Sequence, residues 1–287
     1  MVKLYSRRAL VRVVLPLVIP LVTACAGEDG EDGVDGVDGV NGTNGADGRD
    51  GEAVFELETY TPTPIVTQAA LRTALVAARG EANGGFNLDM WATVVDRAGV
   101  VVAVAFTGAE EDSQWPGSRV ISAQKANTGN AFSLEGLALS TANLFTATQP
   151  GQALFGLQES NPVNTLAAYG GEVADYGTTD DYLVGKKIGG INVFGGGLGL
   201  YDAEGAIIGG VGVSGDSACA DHNIAWKVRD ALALDFVPGG VATGGADDNI
   251  IYDITAGVSA GGFGHPECSA DATTIGEALP TSNPISD

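Results

Sequence analysis

Met90-Trp-Ala-Thr-Val-Val-Asp96-Arg97-Ala98-Gly99-Val100-Val-Val-Ala-Val-Ala-Phe106 is the stretch that decides the fold. Two runs rich in β-branched and apolar residues flank Asp-Arg-Ala-Gly. In that turn an acid can hydrogen-bond the backbone ahead of it, and glycine sits where φ can become positive. The reading is a β-hairpin with strands at 90–96 and 100–106. Its second strand is apolar almost throughout, so both faces are expected to be covered. A second hairpin follows the same grammar. Ile191 to Tyr201 is extended chain interrupted by Gly195-Gly196-Gly197, Asp202-Ala203-Glu204-Gly205 turns, and Ala206 to Val213 returns.

Helices are expected around these hairpins. Thr67 to Arg79 has an apolar side of Ala69, Ala70, Leu71, Ala74, Leu75 and Ala78, with Gly80 as a stop. Ser118 to Phe132 reads as a second helix and Leu139 to Thr148 as a short one halted by Pro150 and Gly151. Ser217 is an N-cap for a helix to about Leu234. There Ile224, Val228, Ala231 and Leu232 form the buried stripe, and Cys219, His222 and Trp226 lie on another. Residues 151–190 read as long loops, a lid or an oligomer contact. Asn249 to Ile254 is a candidate extra strand in a glycine-rich tail. The fold class is mixed α/β (α+β), an antiparallel sheet flanked by helices.

The amino terminus is of a different kind. Lys3, Arg7, Arg8 and Arg12 precede a short apolar run from Val13 to Val22, and Leu21-Val22-Thr23-Ala24-Cys25 looks like a lipobox. The expectation is a signal peptide over 1–24 and an acylated Cys25, which anchors the chain to a lipid membrane without spanning it. Ala26, not Asp, resembles the outer-membrane sorting pattern, which places the protein in the cell envelope. Residues 27–51 carry glycine at every third position, with eight acidic residues and no proline among them. That period is collagen-like. A flexible acidic linker, open to weak Ca²⁺ association, is the simpler expectation over 25–53, and a trimer is the alternative. The folded part then divides into 54–235, with an insertion at 151–190, and an extension at 236–287.

The whole chain has 14 Lys+Arg against 36 Asp+Glu; without residues 1–24 the balance is 10 against 36, a formal charge of −26. Such a surface repels phosphate backbones, so nucleic acid is excluded as a partner. No Gly-x-Ser-x-Gly elbow, Walker loop or dinucleotide fingerprint is present, which leaves an enzyme without local support. The chain's two histidines each sit three residues from a cysteine, as Cys219-x-x-His222 and His265-x-x-Cys268. The four side chains suit Zn²⁺, a disulfide beside two histidines, or an imidazole close to a haem iron. The export signal favours the disulfide, which would tie the extension to the last helix of the core.

Four segments, taken in order, resemble the GlcG/HbpS-like haem-binding family: Trp91-Ala-Thr-Val-Val-Asp-Arg-Ala-Gly99, Ser122-Ala-Gln-Lys125-Ala-Asn-Thr128, Gly195-Gly-Gly197, and Gly209-Gly-Val-Gly-Val-Ser-Gly215-Asp216. The resemblance runs from about 65 to 235. It implies a sandwich of antiparallel sheet between helices, assembly into homo-oligomers, and binding of haem or a corrinoid. By position it makes Lys125, Thr128, Gly195, Gly196 and Gly197 the pocket residues. The chain departs from the pattern in having no histidine on its first helix to serve as an axial ligand. The function expected is binding or sensing of a tetrapyrrole without catalysis; the alternative is a surface structural or interaction protein that keeps the fold without a ligand.

Overall fold

A computed structural model describes residues 57–287. The signal segment 1–24, Cys25, the glycine-repeat linker and residues 54–56 lie outside the described residues. Among the described residues, no helix is long and apolar enough to cross a membrane.

The hairpin read from the sequence forms one half of the sheet, with β2 at its edge. Strand β1 (Trp91–Asp96) pairs with β2 (Val101–Phe106), Trp91 opposite Phe106 and Val94 opposite Ala103. On its other edge β1 meets β4 (Ile207–Ser214), and β4 pairs in turn with β3 (Gly197–Tyr201). The order is β2-β1-β4-β3, antiparallel at every step. Both turns use the expected chemistry. Asp96 Oδ1 accepts from the N–H groups of Ala98 and Val100, and Asp202 Oδ1 from those of Glu204 and Ala206. Gly99 and Gly205 take φ of +77° and +75°.

Strand alternation sorts the side chains onto two faces. Ala92, Val94, Ala103, Ala105, Leu198, Leu200, Val211 and Val213 point to one core. Helix α1 (Gln68–Gly80), started by the Thr67 side chain accepting from Ala70 N–H, covers it with Leu71 and Leu75. Helix α4 (Ala218–Ala231), capped in the same way by Ser217, adds Ile224, Ala225 and Val228. Trp91, Val95, Val101, Val104 and Phe106 point the other way, against Ala123 and Ala126 of helix α2 (Gly117–Phe132). Over β3 and β4 this second face is glycine: Gly197, Gly199, Gly210 and Gly212. A Cβ at Gly210 would run into the Ala126 carbonyl, and one at Gly212 into that of Ser122. These glycines let α2 lie directly on the sheet.

The segment 151–190 is more ordered than its loop reading. A short helix, α3 (Thr165–Ala168), opens with the Asn164 side chain accepting from Leu166 and Ala167 N–H. Ala167, Leu183 and Ile188 then complete the second core over β2, whose Val101 exchanges backbone hydrogen bonds with Gly185 and Lys186. Both faces of β2 are therefore covered. Arg119 of α2 fixes the segment: its Nε donates to Asp181 Oδ2 at 3.0 Å, and its guanidinium lies 3.6 Å from the centre of the Tyr176 ring.

Several expectations need correction. Leu139 to Thr148 holds two separate 3-10 turns, Ala142–Leu144 and Thr146–Thr148, not one helix. Extended pairing in the second hairpin begins at Gly197 and not at Ile191. The strand expected at 249–254 is a two-residue β5 (Ile254–Thr255) paired with β6 (Val258–Ser259). Ala231 is exposed, and α4 is buried all round from Cys219 to Arg229 instead of along one stripe. The cause is an unforeseen helix, α5 (Ala270–Ser282), which packs on the side of α4 away from the sheet.

The extension is fastened to the core at several points. Cys219 and Cys268 form a disulfide, with their Cα atoms 5.9 Å apart. Trp226 Nε1 donates to the Asn283 carbonyl at 2.8 Å, and Asn223 Nδ2 to that of Ala272 at 3.1 Å. The bridge closes a loop with a sequence separation of 49. Its reduction is expected to cost about 4 kcal/mol by loop entropy. Urea unfolding of the oxidised and the reduced, alkylated protein measures that difference, and intact mass counts the thiols released.

Candidate functional site

Lys125 stands in the middle of α2 where the helix crosses β4, pressed there by Gly212. Its Nζ donates to Asp221 Oδ2 at 2.7 Å and to the Val213 carbonyl at 3.1 Å. The two charged side chains are 2% and 3% exposed. Asp221, in the first turn of α4, accepts the Asp216 N–H on its other oxygen at 2.9 Å. Burial pushes the Asp221 carboxyl up to about 6, and the Lys125 ammonium limits the rise. Asp216 continues the chain of contacts. Its carboxylate accepts from Phe86 N–H at 2.8 Å and Leu88 N–H at 3.2 Å, holding the loop before β1.

The glycine triplet threads between these groups. Gly196 has φ of +116°, and a Cβ there would come within 3.1 Å of Lys125 Nζ. Gly195 lies against the Ala218 carbonyl and the Cβ of His222, and Gly197 against the Lys125 backbone. Thr128 is buried one turn along α2. Its Oγ1 donates to the Gln124 carbonyl at 2.8 Å and accepts from Asn192 N–H at 3.0 Å. The structure thus brings Lys125 and the triplet together, with Thr128 anchoring the segment that leads into the triplet. As placed, they form a packed layer and not a slot. A cavity of about 220 Å³ lies beyond Asp216, bounded by Arg79, Asn83, Gly85, Leu88 and Ile224. One of about 500 Å³ lies by Arg97, Leu134, Glu135, Gly136 and Ile207. Neither is lined by Lys125, Thr128 or the glycines. A tetrapyrrole does not fit between these residues without parting Lys125 from Asp221.

Both histidines are buried and neutral. His222 Nε2 lies 3.2 Å from Asn249 Oδ1 and 3.1 Å from the Ile250 nitrogen, while its Nδ1 has no partner. Desolvation lowers its pKa to about 3, although the Asp248 carboxylate works in the opposite direction. His265 Nδ1 donates to the Pro266 carbonyl at 2.8 Å, leaving the Nε2 lone pair unpartnered. Its pKa falls to about 4, mainly through burial. Its ring packs against Phe145 with centroids 5.2 Å apart.

Sequence reasoning passed over Asp221 and the fully buried pair of Arg229 with Asp248, and quoted Asp216 in a family segment without giving it a role. A signal was available for α4. Asp221, Lys227 and Arg229 interrupt a helix whose remaining residues are largely apolar, and charges in such a helix need partners.

Two β-hairpins joined edge to edge, with helices on both faces, define an α/β sandwich. The family model described as "Haem degrading protein HbpS-like" matches residues 66–230, and the chain belongs to that family. Among solved structures, it is similar to the Klebsiella pneumoniae protein ORFY at 24% identity, over 62% of this chain and 95% of that one, with a TM-score of 0.39. It is likewise similar to PduOC, solved as a heme complex, at 24% identity, over 57% and 89%, with a TM-score of 0.40. A double mutant of Streptomyces reticuli HbpS is 19% identical over 66% and 97%, with a TM-score of 0.32. No curated protein matches the chain significantly.

Proposed function

We propose that the protein is an extracytoplasmic, lipid-anchored member of the HbpS-like family that binds or senses haem or a related tetrapyrrole without catalysis. One observation carries this reading: the family model spans the whole sandwich, residues 66–230. The lipobox at Cys25 and the apolar run before it support the anchor. Homo-oligomeric assembly, Ca²⁺ association of the acidic linker and an outer-membrane location belong to the same reading and rest on the sequence. Lys125 is the cation best placed for a propionate, and it becomes available when Asp221 releases it. Thr128 and the glycine triplet would border the opening so formed.

A surface structural or interaction protein is the second reading. It is favoured by the closed state of the layer, in which Lys125 is neutralised and Thr128 has both a donor and an acceptor. A haemin titration of the domain from residue 54 onward, followed in the Soret region, decides between the two. A saturable, shifted Soret band is expected, weakened about tenfold or more in Lys125→Gln protein that keeps its far-UV spectrum, as loss of a charge-assisted contact implies. No saturable band would leave the structural reading. A band that decays when a reductant is added would replace binding by haem breakdown.

A further inference from the structure

The geometry points to a soft-cation site that opens when the Cys219–Cys268 disulfide is reduced, with Cys219, Cys268 and His265 as ligands for Zn²⁺. Both sulfurs and one imidazole nitrogen of His265 lie within 4.8 Å of one another. Tetrahedral zinc bonded to sulfur at about 2.3 Å places two thiolates about 3.7 Å apart. The sulfurs therefore need to part by less than 2 Å from bonding distance, roughly, to take up the ion. Cys268 and its neighbours Glu267 and Ser269 are exposed, so that side of the bridge has room to move.

The second observation is the state of His265. It is 3% exposed, and its Nε2 has no hydrogen-bond partner. Its Nδ1–H is held by the Pro266 carbonyl at 2.8 Å. Metal-binding histidines are held in this way, one nitrogen donating to a backbone carbonyl so that the other presents its lone pair. An unpartnered buried lone pair is otherwise a cost with no return. Cys268 and His265 both lie beyond the 66–230 span of the family model, so two of the three ligands come from this chain's extension and the third, Cys219, from α4. It is independent of tetrapyrrole binding.

The chemistry balances with a dithiol as reductant. One of its thiolates attacks Sγ of Cys268, the S–S bond breaks, and Cys219 leaves with the electron pair and takes a proton. The second thiol of the reductant displaces Cys268, which leaves with the electron pair and takes that thiol's proton, and the reductant closes its own disulfide. Zn²⁺ then binds both sulfurs as thiolates, and two protons pass to solvent. Three protein ligands leave one position for water.

Cobalt(II) added to the reduced, reductant-free protein tests the site, since thiolate-to-cobalt charge transfer is seen only when sulfur binds the ion. One equivalent is expected to develop the band, zinc to displace it, and the oxidised protein to show none. His265→Ala is expected to weaken the affinity by about 100-fold or more, since loss of an outer-shell partner alone costs about 10–100-fold. Zinc is also expected to raise the melting temperature of the reduced protein and not that of the oxidised one. A reduced protein that shows no band overturns the site, as does one that stays unfolded with zinc present. A band of equal affinity in His265→Ala removes His265 and with it the proposal.

Discussion

Replacing Arg229 by methionine is expected to destabilise the protein by about 3–5 kcal/mol, the cost of leaving one member of a buried ion pair alone. Arg229 meets Asp248 through two parallel hydrogen bonds: Nη1 to Oδ2 at 2.9 Å and Nη2 to Oδ1 at 2.8 Å. The side chains are 1% and 0% exposed. Nη1 also donates to the Gly199 carbonyl at 3.2 Å, and the guanidinium sits 4.8 Å from the centre of the Trp226 ring. The pair joins α4, the back of β3 and the extension at one point. With Arg229 gone, the Asp248 carboxylate stays in a dry interior with no cation. The double variant Arg229→Met with Asp248→Leu is expected to recover most of the loss, because neither desolvated charge remains. Urea midpoints of the three variants at unchanged slope provide the measurement. A single-variant loss below about 1 kcal/mol would mean that water reaches the pair in solution.

Acid is expected to unfold the protein through its histidines. His222 and His265 are held at about 3 and about 4 in the fold, against an ordinary value of 6.5. Below 6.5 the unfolded chain takes up these protons while the folded one does not. The stability that the neutral rings provide is complete above that pH and is lost as pH falls toward 4. Each histidine contributes a slope of about 1.4 kcal/mol per pH unit in that window. Asp221 acts in the opposite sense. Its carboxyl is raised to about 6 from 3.8, so the fold gains stability as pH falls through that range. Two histidines outweigh one aspartate, and these three groups leave a net loss of about 1.4 kcal/mol per unit between pH 6 and pH 4. Thermal unfolding across this range should show the decline. His222→Asn should flatten it by about one histidine's slope, after correction for its lower starting stability. An unchanged slope in that variant would show that His222 is not buried in its neutral form.

Much of the framework was legible because its causes are local. The Asp96-Arg97-Ala98-Gly99 turn needs one carboxylate and one positive φ, both supplied within four residues. The strands on either side alternate between faces by backbone geometry alone. Thr67 and Ser217 cap their helices through contacts three residues away. Helix α5 also carried such a signal in Ser269, which accepts from Ala272 N–H. Thr273, Thr274, Gly276 and Pro280 are poor helix formers that concealed it, and packing against α4 supplies what propensity lacks.

The candidate site was legible as residues and not as an arrangement. The sequence by itself determined two hairpins, the helices beside them and a pair of cysteines that an oxidising compartment would join. Only the tertiary structure decided that Lys125 meets Asp221, 96 positions along the chain, and that Arg229 meets Asp248. It also decided why so many glycines line β3 and β4. In the sequence Gly195-Gly196-Gly197 suits a ligand loop. In the fold, Gly197, Gly210 and Gly212 face the backbone of α2 at a separation no side chain allows. The physical reason is range. Turn chemistry, caps and alternation are settled by neighbours in sequence, whereas a desolvated charge finds its partner only among groups that packing brings to it.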